Sequence, residues 1–224
     1  MTRTSTTLRF ALLITMACGF LDAYTYLARG HVFANAQTGN VIFFALGVTG
    51  RNWGQALLHL WAILAFLLGV VLSAHIKSGR LDRPLHYPLR WAMATQAVTL
   101  AVIGFVPATV SPTWVNVPIS FVTAMLIGLF RNVGELSYIA VATTGNLMRL
   151  VESGYAALVD RDAKSRSAIP VYAAIVAAFT GGAVIGGFAT HAWSVHAVWI
   201  PAGLLAVTLV LFIVDGRSIR TEFP

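Results

Sequence analysis

Charge and cysteine are what this sequence has least of. Only 10% of its 224 residues are charged, against about 25% in an average soluble domain, and that scarcity excludes an ordinary soluble fold. The single cysteine, Cys18, lies inside an apolar run. The chain can therefore form neither an internal disulfide nor a cysteine metal site, and Cys18 reads as a small buried hydrophobe. Catalytic signatures are missing too. There is no P-loop, no dinucleotide fingerprint and no nucleophile motif, and His31, His59, His75, His86, His191 and His196 show no metal-ligand spacing such as H-E-x-x-H. The expectation is a protein that is not an enzyme and uses no cofactor and no metal.

Hydrophobic residues make up 58% of the chain, and its mean hydropathy is +0.77. Six segments, roughly 8–27, 54–76, 90–107, 114–131, 168–190 and 196–214, are near the ~20 residues that cross about 30 Å of hydrocarbon as a helix. Prolines punctuate them: Pro84 and Pro88 before the third, Pro107 and Pro112 after it, and Pro170 read as the first turn of the fifth. Trp53, Trp91, Trp114 and Trp193 stand near segment ends, where an interfacial aromatic belt belongs. The first segment lacks a small-x-small cleavage site and Thr15-Met16-Ala17 makes a poor lipoprotein box, so it reads as a retained helix.

Lysine and arginine (15) outnumber aspartate and glutamate (8), a net charge of +7. The basic residues lie between hydrophobic segments, where they set topology and face anionic lipid, which argues against nucleic acid as a partner. Arg3 and Arg9 precede the first segment. Lys77, Arg80, Arg83 and Arg90 surround the second loop, Arg149, Arg161, Lys164 and Arg166 precede the fifth segment, and Arg217 and Arg220 follow the sixth; 108–113 and 191–195 carry no lysine or arginine. The positive-inside rule puts both termini and the basic loops in the cytoplasm.

With that orientation, 36–50 and 143–155 cannot be full crossings. The first must dip in from outside and the second from inside, and both are short of a span. Each carries Thr-Gly-Asn, at 38–40 and 144–146. Gly19-Phe20-Leu21-Asp22 begins 19 residues before Thr38, and Gly128-Leu129-Phe130-Arg131 begins 16 before Thr144, a weak internal register. The expected fold is an all-α membrane protein in one domain over 1–224: six transmembrane helices as an inverted 3+3 repeat (8–107 and 114–214), each half with a short re-entrant Thr-Gly-Asn helix. Non-helical backbone at membrane depth is tolerated where protein or water satisfies it, and such breaks often build a transport path.

Residues 19–40, G-F-L-D-A-Y-T-Y-L through G-H-V-F-A-N-A-Q-T-G-N, resemble the YoaK family of small bacterial membrane proteins. Length and hydropathy extend the resemblance over the chain. The second half is looser: the resemblance implies Gln-Asn where this chain has Arg131-Asn132, and Thr-Gly-Thr as often as Thr-Gly-Asn at 144–146, so a role for Arg131 would be peculiar to this sequence. It implies a bacterial cytoplasmic (inner) membrane and supplies no substrate.

A helix starting at Thr38-Gly39-Asn40 or Thr144-Gly145-Asn146 has unpaired N–H groups and a positive dipole end. Inverted symmetry aims the two starts at one another, so Gln37, Thr38, Gly39, Asn40, Thr144, Gly145 and Asn146 are the candidate site for a polar or anionic solute; satisfied tight turns are the bland alternative. Asp22 sits within a spanning segment, where a charge costs about 2.5–3.5 kcal/mol. It reads either as a coupling site for a proton or cation, or as an anchor bonded to backbone where the first segment gives way to the loop. Arg131 is its symmetry mate but lies at a different depth, and is expected to pair with Glu135 one helical turn on or to snorkel. Gly182 and Gly186 form a G-x-x-x-G within 168–190, which reads as close helix packing inside the bundle or in a homo-oligomer.

The function this supports is a small-solute permease or channel in the lipid bilayer; the alternatives are a non-transporting scaffold or sensor and, less well supported, an intramembrane enzyme. With Cys18 replaced by Ala, single cysteines at Ser111 and Ser194 should react with an impermeant thiol reagent from outside, and cysteines at Ser78 and Ser165 only after permeabilisation. Outside labelling at position 165 would reverse the fifth segment and end the inverted arrangement.

Overall fold

The computed structural model describes residues 8–79 and 88–221, with side chains over 8–79 and 90–214. Arg3, Arg80, Arg83, Pro84 and His86, and the side chains of Pro88, Arg217 and Arg220, lie outside the described residues. The described chain is helical apart from one hairpin. Its elements are α1 (Leu8–Ala28), α2 (Gln37–Thr49), α3 (Trp53–Lys77), α4 (Pro88–Ile103), α5 (Pro112–Leu129), β1 (Asn132–Val133), β2 (Leu136–Ser137), α6 (Thr143–Val159), α7 (Ala163–Trp193) and α8 (Trp199–Thr221), with a 3-10 turn, Ser194–Val198, between the last two.

Four helical stretches are long and apolar enough to cross a membrane: Leu8–Ala28, Trp53–Lys77, Pro112–Leu129 and the continuous Ala163–Val214. The last is twice a crossing in length and is broken by the 3-10 turn. At 16 residues, α4 reaches only about 24 Å.

Several boundaries differ from those expected. α5 stops at Leu129 because Phe130 turns extended (φ −115°, ψ 90°), and β1 and β2 pair antiparallel immediately after it. Arg131 therefore stands in an exposed connection beyond the helix, not within a span. α7 begins at Ala163, capped by Asp162, whose carboxylate accepts the N–H groups of Lys164 and Ser165. Pro170 is the eighth residue of that helix, not part of its first turn.

The helices form a layer around α1 and α5. α7 lies against α1, α1 against α8, α8 against α4, α4 against α5 and α5 against α3, while α2 rests on α3 and α6 on α7. α1 and α5 are each 67% buried along their apolar windows, against 33% for α3 and 39% for the α7–α8 stretch. That difference identifies α1 and α5 as the centre and leaves the other faces for lipid.

Glycine sets how closely the central helices are gripped. A Cβ at Gly19 would overlap the Phe179 carbonyl oxygen, and one at Gly182 that of Met16, so α1 and α7 meet backbone to backbone. Gly69 does the same against the Phe121 carbonyl at the α3–α5 contact. The G-x-x-x-G of α7 is thus used within the chain; a homo-oligomer through the same helix would rest on Gly181 and Gly187, which have open space around them.

Gly182→Val and Gly69→Val should each destabilise the folded protein by about 1–3 kcal/mol or more through overpacking. Gly181→Ala and Gly187→Ala should stay within about 0.5 kcal/mol. Thermal unfolding in detergent micelles measures the difference.

Candidate functional site

Thr15, Cys18, Asp22, Thr25 and Arg29 follow one another at intervals of three and four along α1 and its end, forming a single helical stripe. All are buried. Beyond Ala28 the chain turns through Gly30 and His31, both at positive φ. It then runs back along this stripe without helical hydrogen bonds of its own. The stripe supplies the missing partners: Thr25 Oγ1 accepts the Ala34 N–H at 3.1 Å, and Asp22 Oδ1 accepts those of Asn35 at 2.7 Å and Ala36 at 3.3 Å. The Asn35 amide in turn donates to the Cys18 carbonyl at 3.1 Å. From Arg29 to Cys18 is eleven residues, a return of about 16 Å along the helix axis. Of the two expected roles for Asp22, the backbone anchor is the one this geometry displays.

α2 starts where that return ends. Its cap residue is Ala36, with no side-chain cap, and α6 likewise starts after Ala142 without one. The Thr-Gly-Asn residues occupy the first turns, and their asparagines face backward. Asn40 donates to the Phe33 carbonyl at 2.7 Å and Asn146 to the Ile139 carbonyl at 2.8 Å, each closing a loop of the same seven-residue separation. Asn40 is fully engaged: it also donates to Gln37 Oε1, accepts from the Phe33 N–H and meets His59 Nδ1 at 3.1 Å. Because Asn40 Oδ1 is an acceptor, that histidine nitrogen carries the proton in this pair. Thr38 and Thr144 are exposed. Gly39 allows the Phe33 ring to lie on the helix start, whereas around Gly145 there is room. The two short helices share no extended contact; each keeps to the long helix that follows it.

Arg29 is the residue sequence reasoning missed. Its guanidinium, 1% exposed, donates to the carbonyls of Val106 at 2.8 Å, Pro107 at 3.1 Å and Ile103 at 3.5 Å, at the negative end of α4. Nε donates to the Tyr24 hydroxyl, which donates to the Val195 carbonyl. Asn116 of α5 donates to the Arg29 carbonyl at 2.7 Å. Arg29 thus ties the helices together, its guanidinium joining α1, α4 and, through Tyr24, the α7–α8 turn, and its backbone carbonyl joining α5. The signal was available: Arg29 lies at the lysine-poor end of the first segment, against the positive-inside pattern.

The opposite end of the bundle is held by packed aromatic rings, with Phe10 and Phe130 tilted against one another at 4.8 Å between centroids. Between these two anchors α1 and α5 run antiparallel. Seven residues from the Arg29–Asn116 anchor, Asp22 is level with Thr123; twelve from the Phe10–Phe130 anchor, it is level with Pro118. Ser120 lies within that bracket. α1 and α5 share no extended backbone contact; they meet through side chains of one core, along a seam lined by both. Six buried polar atoms have no hydrogen-bond partner among the described residues: Thr15 Oγ1, Asp22 Oδ2, Asn35 Oδ1, Gln96 Oε1, Asn116 Oδ1 and Ser120 Oγ. Three come from α1 and its returning loop, two from α5, and one from α4, where Gln96 bonds Thr123 of α5.

Arg131 and Glu135 do not join this site, nor each other. The helical turn expected to link them is the β hairpin, and Glu135 instead pairs with Lys164 at 2.9 Å. That bond holds the Glu135 carboxyl below its ordinary pKa range, but both groups are largely exposed, and solvent screening leaves the pair little energetic weight. Among the described residues no three His, Cys, Asp or Glu side chains gather as metal ligands.

Residues 10–211 match the family described as Protein of unknown function (DUF1275). The chain belongs to that family. It is also 25% identical over 205 residues to the UPF0700 transmembrane protein YoaK of Bacillus subtilis (strain 168), covering 86% of this chain and 88% of that one. The expected resemblance is thereby established, and with it a membrane protein. No solved structure matches the chain.

Asn40→Ala and Asn146→Ala should each cost about 1–3 kcal/mol, because the Phe33 and Ile139 carbonyls lose their donors. Thr38→Ala and Thr144→Ala should change stability by less than about 0.5 kcal/mol. Equal losses at all four positions in thermal unfolding would contradict this division of labour.

Proposed function

We propose that the protein is a small-solute permease or channel of the bacterial cytoplasmic membrane, and that its solute path follows the seam between α1 and α5. The observation that carries the proposal is the set of six buried, unpartnered polar atoms on α1, its returning loop, α5 and the neighbouring α4. Each costs about 1–3 kcal/mol when left unsatisfied, and a chain free to pack apolar groups at the centre of a bilayer has no stability reason to keep them. A polar solute or water in the seam supplies the missing partners.

An inverted 3+3 repeat supports the same reading. Exchanging α1 with α5, α2 with α6, α3 with α7 and α4 with α8 converts the α1–α7 contact into α5–α3, α2–α3 into α6–α7, and α1–α8 into α5–α4, and leaves α4–α8 unchanged. The matched loop closures by Asn40 and Asn146 obey the same exchange. In this arrangement α2 and α6, about 20 and 26 Å long, are re-entrant rather than spanning. Their Thr-Gly-Asn turns shape the loops bordering the path, and Asn35 of the first loop reaches the middle of α1. Lys77 lies near Arg131 and Lys164 pairs with Glu135. Basic residues therefore gather at the Phe10–Phe130 end, which the positive-inside rule makes cytoplasmic.

Light-scattering of osmotically shocked proteoliposomes, over a panel of small polar and charged solutes, should show uptake above that of empty liposomes. Ser120→Leu should fill the seam and reduce that uptake at least tenfold while the protein stays inserted and folded. Folded wild-type protein with no uptake for any solute would favour the scaffold or sensor reading.

A further inference from the structure

The chemistry of the seam narrows the solute class. Of the six unpartnered atoms, Asn35 Oδ1, Asn116 Oδ1, Gln96 Oε1 and an ionised Asp22 Oδ2 can only accept hydrogen bonds. The two asparagine orientations are not interchangeable. Asn35 Nδ2 points at the Cys18 carbonyl at 3.1 Å and Asn116 Nδ2 at the Arg29 carbonyl at 2.7 Å, so flipping either would set two oxygens against one another. Apart from the Thr15 and Ser120 hydroxyls, the donors nearby are committed: Arg29 is bonded through Nε, Nη1 and Nη2, and the N–H groups of Asn35 and Ala36, just ahead of α2, already serve Asp22. An anion entering here would face the Asp22 carboxylate and a majority of acceptors, with only two hydroxyls free to donate, which argues against an anionic solute.

We infer that the seam binds a hydrogen-bond-donating monocation, ammonium or a primary ammonium group, between Asp22 Oδ2 and Asn35 Oδ1. The Asn35 backbone N–H donates to the other Asp22 oxygen at 2.7 Å and the Asn35 side chain reaches the Cys18 carbonyl one turn back on the same helix, which brings Asn35 against the Asp22 carboxylate. Asp22 is 4% and Asn35 1% exposed, which keeps water from competing. One carboxylate matches one positive charge. A calcium-like cation needs six to eight oxygen ligands, more than this pair can offer, whereas an ammonium group is served by a few acceptors in tetrahedral directions. Thr15, two turns back on the same stripe, offers a further hydroxyl oxygen along the path toward the Phe10 end.

This inference deepens the permease reading and rests on it, but binding can be read without flux. Thermal unfolding of the full chain in detergent micelles should be followed against ammonium chloride, with potassium chloride and choline chloride at equal ionic strength. Ammonium should raise the midpoint saturably by a few degrees, because a ligand that binds only the folded state stabilises it by mass action; potassium and choline should not. Asn35→Leu keeps the backbone N–H that anchors the loop and removes the acceptor, and should weaken the apparent affinity at least tenfold. Asp22→Asn should abolish the response, and if that variant does not fold, Asn35→Leu alone decides. Thr208→Val, whose hydroxyl is bonded within α8 to the Leu204 carbonyl, should leave the response intact. Equal midpoints in all three salts would overturn the inference, with a protonated Asp22 donating to Asn35 in place of a cation. A response that survives Asn35→Leu would overturn it too. Ammonium binding without uptake of any solute in proteoliposomes would sink the permease reading and keep the site; uptake without an ammonium response would do the reverse.

Discussion

Three backbone N–H groups, those of Ala34, Asn35 and Ala36, set the terms for the rest of this structure. They lie deep beside α1 in a stretch with no regular hydrogen bonding, where an unsatisfied donor costs several kcal/mol. Asp22 and Thr25 accept them. Because those acceptors sit on α1, the chain leaving its end has to fold back along it, and α2 can begin only where the return stops. α1 must then stay central, with its polar stripe turned away from lipid.

A central polar helix needs a firm grip from outside, and the molecule provides it in two ways. Along the shaft, glycines bring α7 to α1 and α3 to α5 at backbone distance. At one end the Arg29 guanidinium gathers carbonyls from the end of α4, and at the other Phe10, Phe130 and Phe212 pack in tilted and edge-on contacts. Between these clamps α1 and α5 meet through side chains rather than backbone, and the unpartnered oxygens lie within a structure that is otherwise closely packed.

The parts legible in the sequence were those carrying a large local penalty. A carboxylate inside an apolar run, a glycine-bearing break between two runs and a charge-poor connection each have a visible cost, and Asp22, the starts of α2 and α6 and the positions of the long helices all followed. What escaped was cheap at the level of local sequence. Asn116, Ser120 and Gln96 are uncharged and leave the hydropathy of their segments almost unchanged, so nothing marked them as central. The end of α5 was misplaced because apolar residues continue to Phe130, and only the extended backbone there shows that helical spacing from Arg131 to Glu135 does not apply. Pro170 drew the start of α7 too late, although Asp162 with Ser165 gives the better cap. Arg29 was visible but was not weighed against the charge rule it breaks.

The span between partners has a consequence for how the protein is made. Asp22 meets its acceptor-seeking loop 13 residues further on, so the ribosome has barely moved before the backbone donors that bond that carboxylate have been made. Tyr24, on the same helix, must wait for Val195, 171 residues later, which at 5–20 residues per second is roughly ten to thirty seconds of synthesis. For that interval the glycine face of α1 that will receive α7 is complete but unmatched. The newborn first helix must therefore lodge against lipid or the insertion machinery in a provisional setting, and it reaches its final neighbours only as the last hairpin, α7 and α8, enters the bilayer.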